Sequence, residues 1–161
     1  MIKSNEFEPV ISNIHSVLLP EDEVQPFVDN GHERAVVLIS FNGKTLKIHT
    51  SLQKRAGFYR ASLNKQLQKQ LGIQSNDSFT VQLLEDTTKY GVEMPEELQA
   101  VLDTDLEAQA IFDSLTSGKQ RTLIYMIIRF KNSQTRIDKS LLLVDNLKRG
   151  IRDNKLLLKA Q

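Results

Sequence analysis

The chain has 161 residues, of which 40% are hydrophobic and 25% charged, and its formal net charge is +1. A chain of this size and composition can bury a core without covalent staples. Cysteine is absent, which excludes disulfides, thiolate metal sites and cysteine nucleophiles.

The first half of the sequence has the pattern of short strands. Arg34 to Phe41 is apolar and β-branched, Asn42-Gly43 follows it directly, and Lys44 to Leu52 then alternates between apolar and polar residues. Asn-Gly between two such runs is a strong hairpin signal, because both central residues of the turn take positive φ. The pattern predicts a hairpin with Ile48 on one face of its second strand and His49 on the other.

The other predicted elements of this half are shorter. Pro26 should keep the first helix short, and Gly72 should end the second in a left-handed conformation. The elements are a moderately apolar stretch over Phe7–Leu19, a helix over Pro20–Asn30, a strand over Phe58–Leu63, a helix over Asn64–Leu71 and a strand over Ser78–Leu84.

After Asp86 the hydrophobic period changes to that of helices. Thr87 to Gly91 has the character of a linker, and a short helix should open at Pro95 and end near Leu102. Two capping boxes, Thr104-x-x-Glu107 and Ser117-x-x-Gln120, predict the starts of the next two helices. The first box would place Leu106, Ala110 and Ile111 near one face, and a fourth helix should run from Gln134 to Arg149.

Strands followed by helices indicate an α+β fold rather than alternating βαβ units. We expect two domains, a β-domain over residues 1–88 and a helical domain over residues 89–161. Closing the strands into a small barrel would remove their exposed edges, so a barrel is favoured over an open sheet.

Charge is unevenly distributed along the chain. Residues 34–76 carry eight basic side chains and no acidic one, whereas residues 91–113 carry seven acidic side chains and no basic one. Residues 114–161 are again basic, with eleven basic and three acidic side chains. Basic regions of this kind either bind an anionic partner or pair with the acidic helices, and the sequence leaves both open.

The first half resembles domain-of-unknown-function family 1905. The motifs that carry the resemblance are Leu19-Pro20, Val36, Asn42-Gly43, Ser51-Leu52, Gly57-Phe58-Tyr59 and Asn76-Asp77-Ser78-Phe79-Thr80-Val81. The resemblance implies a small double-split-type β-barrel, distantly like the swapped-hairpin barrels of AbrB-type transcription factors.

The second half, from Val92 to Gly150, is similar to the YdeI/OmpD-associated family. The motifs concerned are Val92-x-x-Pro95-Glu96-x-Leu98, Ala110-x-Phe112-x-x-Leu115, Tyr125-x-Ile127 and Lys131-x-x-x-Thr135-Arg136. The resemblance implies a compact helical segment and a loose link to protection against bacteriocins and cationic antimicrobial peptides. It implies no established activity.

Two basic clusters are candidate anion-binding sites. Lys54, Arg55, Tyr59 and Arg60 surround Gly57, and cations beside an aromatic ring suit a phosphate or carboxylate. Lys131, Arg136 and Lys139 lie at the junction of the last two helices, where backbone N–H groups could assist. Alternatively, the first cluster is a solvated hairpin end with Tyr59 packed inward, and Arg136 pairs with the acidic helices.

Catalytic and metal-binding patterns are not found in the sequence. The histidines His15, His32 and His49 lie in separate segments without ligand spacing, and no serine lies in a nucleophile motif. We therefore expect a non-enzymatic binding or interaction protein without a cofactor. Its partner would be an anionic ligand or a protein, with a DNA-binding regulator as the alternative and nucleic acid as the less favoured partner.

The N-terminus has no apolar signal-peptide core. The longest apolar runs, Ala35 to Ile39 and Leu123 to Ile128, are far shorter than the roughly 20 residues that a membrane span requires. A cytoplasmic location with no membrane span is expected.

Overall fold

In a computed structural model that describes residues 1–9, 11–13, 15–74 and 76–161, the chain divides into two units, Met1–Thr87 and Thr88–Gln161. The strands are β1 Ile11–Asn13, β2 Ser16–Leu19, β3 Arg34–Phe41, β4 Lys44–Ser51, β5 Lys54–Arg55, β6 Phe58–Ser62 and β7 Thr80–Glu85. The helices are α1 Glu21–Asp29, α2 Lys65–Leu71, α3 Glu96–Asp103, α4 Leu106–Ser114, α5 Ser117–Ile128 and α6 Ser133–Lys148. The predicted α+β class is confirmed. Val10 and Ile14, in the stretch predicted over Phe7–Leu19, lie outside the described residues.

The β3–β4 hairpin forms as the sequence predicts. Asn42 and Gly43 have φ values of 48° and 78°, which the two-residue turn requires. The strands pair from Phe41 opposite Lys44 to Arg34 opposite Ser51. The alternation of β4 follows from this register, because Ile48 joins the apolar core on one face.

The strands form two antiparallel sheets rather than the predicted closed barrel. One sheet has the order β1-β2-β6-β5 and the other β4-β3-β7, and no strand pairing in the described part of the chain closes either sheet. The barrel was expected because closure removes exposed edges. Here the edge of β7 is covered instead by the N-terminal segment. Phe7 and Val81 exchange two backbone hydrogen bonds of 2.8–2.9 Å, and the Ser4 N–H donates to the Leu83 carbonyl at 2.8 Å.

A second hairpin joins β5 to β6 and was not predicted as such. Its two-residue turn is Ala56-Gly57, with φ values of 52° and 82°. Lys54 pairs with Tyr59 and Arg55 with Phe58. The turn therefore fixes which basic side chains share a face, because paired residues lie on the same side of a sheet.

The helices of the C-terminal unit begin one residue away from the predicted caps. Asp105, rather than Thr104, caps α4 by accepting a hydrogen bond from the backbone N–H of Ala108, and Thr116, rather than Ser117, caps α5. Of the three residues predicted to lie near one face, Leu106 and Ala110 are exposed and Ile111 is half-buried against the core. Ala108 and Phe112 are the buried residues of α4.

The core of the C-terminal unit extends beyond the four helices at both ends. Tyr90, within the predicted linker, is buried and packs edge-on against Phe112 with ring centroids 5.4 Å apart. The last turns of the chain are also packed, since Leu157 and Leu158 are buried in the same core. Among the described residues, no helix combines the length and the apolar character needed to cross a bilayer.

Candidate anion-binding site

The first basic cluster is divided between two faces of the β5–β6 hairpin. In strands, successive side chains alternate between faces, so Lys54 and Tyr59 share one side while Arg55 and Arg60 share the other. Tyr59 is buried in the core, as the more conservative interpretation of the sequence held. The four residues therefore do not form one site.

Lys54 is engaged by an acidic residue outside the basic segment. Its ammonium lies 2.6 Å from the Glu21 carboxylate and 5.5 Å from the centroid of the Tyr59 ring. The hydrogen bond that Lys54 donates to Glu21 raises the pKa of Lys54 above its ordinary value. Lys54 and Tyr59 border a largely apolar pocket of about 360 Å³ with Phe58 on its wall. An anion at this ammonium would compete with a carboxylate that is already present.

Arg55 and Arg60 instead line a polar cleft of about 370 Å³, here called the arginine cleft. The four-stranded sheet contributes Ser16, Arg60 and Ser62, and the segment around β4 contributes His49 and its neighbours. The residues that line the cleft are His15, Ser16, His49, Thr50, Ser51, Gln53, Arg55, Arg60, Ala61 and Ser62. None of them is acidic, so the cleft presents two guanidinium groups without a carboxylate on its wall.

Arg60 is held in place by its own hairpin. Its Nη1 donates to the backbone carbonyl of Arg55 at 2.9 Å, and its guanidinium carbon lies 5.6 Å from the centroid of the Phe58 ring. Among the described residues, its Nε–H is buried and has no hydrogen-bond partner. Nε belongs to the side of the guanidinium that binds carboxylates and phosphates through two parallel hydrogen bonds.

His49 reaches the cleft with its orientation fixed. Its Nδ1 lies 2.8 Å from the carboxylate of Asp86, and the side chains of both residues are almost fully buried. Asp86 follows β7 directly, and β7 and β4 both pair with β3. His15 and His49 are separated by 33 residues and show no common pattern in the sequence, yet both line the same cleft.

The second basic cluster is also divided. Arg136 donates to the backbone carbonyls of Phe130 and Ile128 at 2.6 and 2.9 Å and lies 3.8 Å from the Glu97 carboxylate. It thus makes the contact with the acidic helices that the alternative interpretation expected. Lys131 is exposed, and Lys139 borders a different groove.

The backbone N–H groups at the start of α6, which the sequence suggested as part of an anion site, are capped by a side chain of the protein. Asn132 caps this helix by accepting the Thr135 backbone N–H at 3.0 Å. In the described ranges, no three His, Asp or Glu side chains lie together in a way that could hold a metal ion. The arginine cleft is consequently the arrangement in the N-terminal unit best suited to a ligand.

Comparison with known proteins finds a family match within the C-terminal part of the chain. Residues 91–150 match the family described as "Bacteriocin-protection, YdeI or OmpD-Associated". The resemblance predicted for the second half is therefore confirmed over these residues, whereas nothing supports the predicted resemblance of the first half to family 1905. No curated protein and no solved structure matches the chain.

Proposed function

We propose that this protein is a non-catalytic binding protein that holds a small oxyanion-bearing ligand, a phosphate or a carboxylate, in the arginine cleft. The observation that carries the proposal is the convergence of Arg55 and Arg60 on a cleft without an acidic lining residue. Two guanidinium groups on one wall repel each other unless an anion or solvent lies between them.

The remaining lining of the cleft supports an oxyanion as the ligand. Ser16, Thr50, Ser51 and Ser62 bring hydroxyl groups, which can donate to a phosphate or carboxylate oxygen. The buried Nε–H of Arg60 lacks a partner in the described structure. Leaving such a donor unmet costs about 1–3 kcal/mol, and an oxyanion on that side of the guanidinium would satisfy it.

The binding role is favoured over catalysis because of what the sequence contains. Cysteine is absent, and no serine lies in a nucleophile motif. The His49–Asp86 pair positions one imidazole, and in the binding role this imidazole contributes a hydrogen bond to the ligand. A turnover abolished by replacing His49 alone would contradict the non-catalytic assignment.

The match over residues 91–150 supports a biological setting for this binding. We place the protein in the bacterial cytoplasm and in protection against bacteriocins or related stress, with the cleft as its ligand-binding part. A strain that lacks the protein should be more sensitive to bacteriocin. Restoring the wild type should rescue it, and restoring the Arg55→Gln, Arg60→Gln variant should not.

The alternative is a DNA-binding regulator, favoured by the acid-free composition of residues 34–76. It would require these cations to contact phosphates along a duplex, with affinity falling steeply as salt rises. Lys54 already pairs with Glu21, which reduces the positive charge available at the centre of this segment. Duplex DNA should therefore bind more weakly than a small oxyanion at physiological salt.

The proposal can be tested with a single tryptophan beside the cleft. The chain contains no tryptophan, and Phe58 is 54% exposed beneath the Arg60 guanidinium, so Phe58→Trp adds one local fluorophore. Titration with inorganic phosphate, citrate and duplex DNA should show saturable binding of at least one small oxyanion.

A matched pair of variants separates the cleft from general charge. Arg55→Gln with Arg60→Gln should weaken oxyanion binding about tenfold or more, as expected for charge-assisted hydrogen bonds. Lys65→Gln with Lys69→Gln removes the same charge from exposed positions on α2 and should have little effect. Equal weakening by both pairs, or tighter binding of DNA than of the small anions, would refute the assignment.

A further inference from the structure

The C-terminal unit contains a second basic pocket, which has no role in the binding proposed above. It is a groove of about 440 Å³, here called the lysine groove, and its cations are Arg129, Lys139, Lys155 and Lys159. Among the described residues that line it, none is acidic. Its floor is apolar and consists of Met126, Phe130 and Leu158.

Two of the four cations in the groove lie against one aromatic ring. The guanidinium carbon of Arg129 lies 5.2 Å from the centroid of the Phe130 ring, and the Lys139 ammonium lies 5.8 Å from it. The Lys139 ammonium also donates to the backbone carbonyl of Leu158 at 3.2 Å. These contacts fix two of the four cations at the ring without neutralising either of them.

Two acidic side chains, one in α3 and one at the N-cap of α4, pair with cations that lie outside the groove. Asp105 pairs with Lys148 at 2.6 Å, and Glu97 lies 3.8 Å from Arg136. Both of these cations lie outside the groove. The two explanations left open for the basic C-terminal region thus apply to different residues, with neutralised cations at Arg136 and Lys148 and a charged concavity at the lysine groove.

We infer that the lysine groove binds a small organic polyanion that carries a flat apolar group, such as a nucleoside triphosphate. Four cations are more than a single carboxylate needs, and three of them are lysines, which bind phosphates as point charges. The volume falls within the range of small-molecule sites. The apolar floor gives the organic group a surface, while the charged side chains hold the phosphates.

The inference is independent of the arginine cleft, because the two sites belong to different units and share no residue. A fluorophore placed in the groove keeps their tests separate. Phe130→Trp introduces the sole tryptophan of the chain into the groove, at the ring that Arg129 and Lys139 contact. Its emission reports on ligands at this groove and not on the arginine cleft.

The experiment is a titration of the full-length Phe130→Trp protein with ATP and with inorganic tripolyphosphate. ATP should change the emission saturably, and tripolyphosphate should bind more weakly because it lacks the apolar group. Lys155→Gln with Lys159→Gln should weaken ATP binding about tenfold. Both lysines are exposed, so folding should be preserved.

The control is Lys65→Gln with Lys69→Gln, which has the same spacing and charge change on α2 and should leave ATP binding unchanged. Calorimetry on the protein with Phe130 intact, with and without the Lys155 and Lys159 changes, guards against a local effect of the tryptophan. An ATP affinity that is insensitive to Lys155 and Lys159, or equally sensitive to the control pair, would overturn the inference. So would tripolyphosphate binding as tightly as ATP, or duplex DNA binding more tightly than ATP.

Discussion

The side-chain amide of Asn146 donates a hydrogen bond to the backbone carbonyl of Leu157 at 3.0 Å, in the interior of the C-terminal unit. The same nitrogen lies 3.3 and 2.9 Å from the carbonyls of Leu156 and Lys159, and Asn146 is only 1% exposed. One side chain of α6 thus holds the last turns of the chain. Because Lys159 lines the lysine groove, Asn146 also positions one wall of that groove.

Replacement of Asn146 should release this segment. Asn146→Leu leaves the Leu157 carbonyl without its donor, whereas Gln161 still donates to the carbonyls of Leu156 and Lys159. A buried unsatisfied group costs about 1–3 kcal/mol. We expect a loss of this size in the free energy of unfolding, measured by urea denaturation, together with faster amide exchange over residues 156–159. Asn146→Asp should also destabilise, because a carboxylate cannot donate. Wild-type stability of Asn146→Asp would show that the amide is not the anchor.

Arg136 should matter for stability rather than for ligand binding. It donates to two backbone carbonyls and faces the Glu97 carboxylate, and Glu97 is only 8% exposed. Removing the guanidinium leaves these acceptors unpaired, so Arg136→Met should lower the unfolding free energy by about 2–4 kcal/mol. Arg136→Lys should recover little of this, because one ammonium cannot reproduce the planar fork.

The matched control for Arg136 is Lys131, which was predicted to belong to the same site and is exposed. Lys131→Met should change the unfolding free energy by less than about 0.5 kcal/mol. Thermal or urea denaturation of the two methionine variants side by side provides the measurement. Equal losses would show that Arg136 has no special structural role.

The turn of the β5–β6 hairpin offers a stabilising change. Ala56 has a φ of 52°, a left-handed conformation that asparagine tolerates better than alanine, and Asn-Gly is a preferred pair for such turns. Ala56→Asn should raise the unfolding free energy by up to about 1 kcal/mol. Gly57→Ala should lower it, since Gly57 has a φ of 82°. Thermal denaturation of both variants measures the two shifts, and shifts of the same sign would contradict the turn geometry.

The Asp105–Lys148 pair should give the C-terminal unit an acid-dependent stability. The hydrogen bond from Lys148, aided by the Ala108 backbone N–H, lowers the pKa of Asp105 below its ordinary value. The stability gained from this lowered pKa is present above the ordinary pKa of the carboxyl. It is lost as the pH falls from the ordinary pKa of an aspartate carboxyl through the lower pKa of the folded state.

Asp105→Asn isolates the charge, because asparagine keeps the capping acceptor for α4. The variant should unfold at a lower temperature than the wild type near neutral pH, and the two should converge in acid. The raised pKa of Lys148 has the opposite sign, so its contribution is present at neutral pH and is lost only as strongly alkaline pH passes through that raised pKa. A constant difference between variant and wild type across the acid range would exclude the ion pair as the cause.

The elements of the fold were predictable where one local signal dominated. Asn42-Gly43 fixed the first hairpin, and Gly72 ended α2 in a left-handed conformation. The helix starts were ambiguous, because two adjacent residues could each cap. The structure selects Asp105 over Thr104, and the side chains of α4 that are buried, Ala108 and Phe112, are those that pack into the C-terminal core.

The candidate site was predictable only in part, because its residues are brought together by long-range pairing. The sequence placed Lys54, Arg55 and Arg60 in one cluster, and the alternation of the strands then separated Lys54 from the two arginines. The contribution of His15 and His49 depends on the arrangement of both sheets, which no local pattern encodes. In the lysine groove, Lys155 and Lys159 come from a tail that is held by the buried Asn146 amide, by Lys139 and by the packing of Leu157 and Leu158.

The N-terminal segment that pairs with β7 also covers a sheet edge at which a strand of another molecule could otherwise pair. Ser4 and Phe7 take up the backbone groups that Leu83 and Val81 would otherwise present along the edge of the sheet. The Ser4 hydroxyl accepts a further bond, from the Leu83 N–H at 2.8 Å. A strand from another molecule therefore finds no free backbone donors or acceptors at these positions. The segment protects this part of the β7 edge from edge-to-edge aggregation.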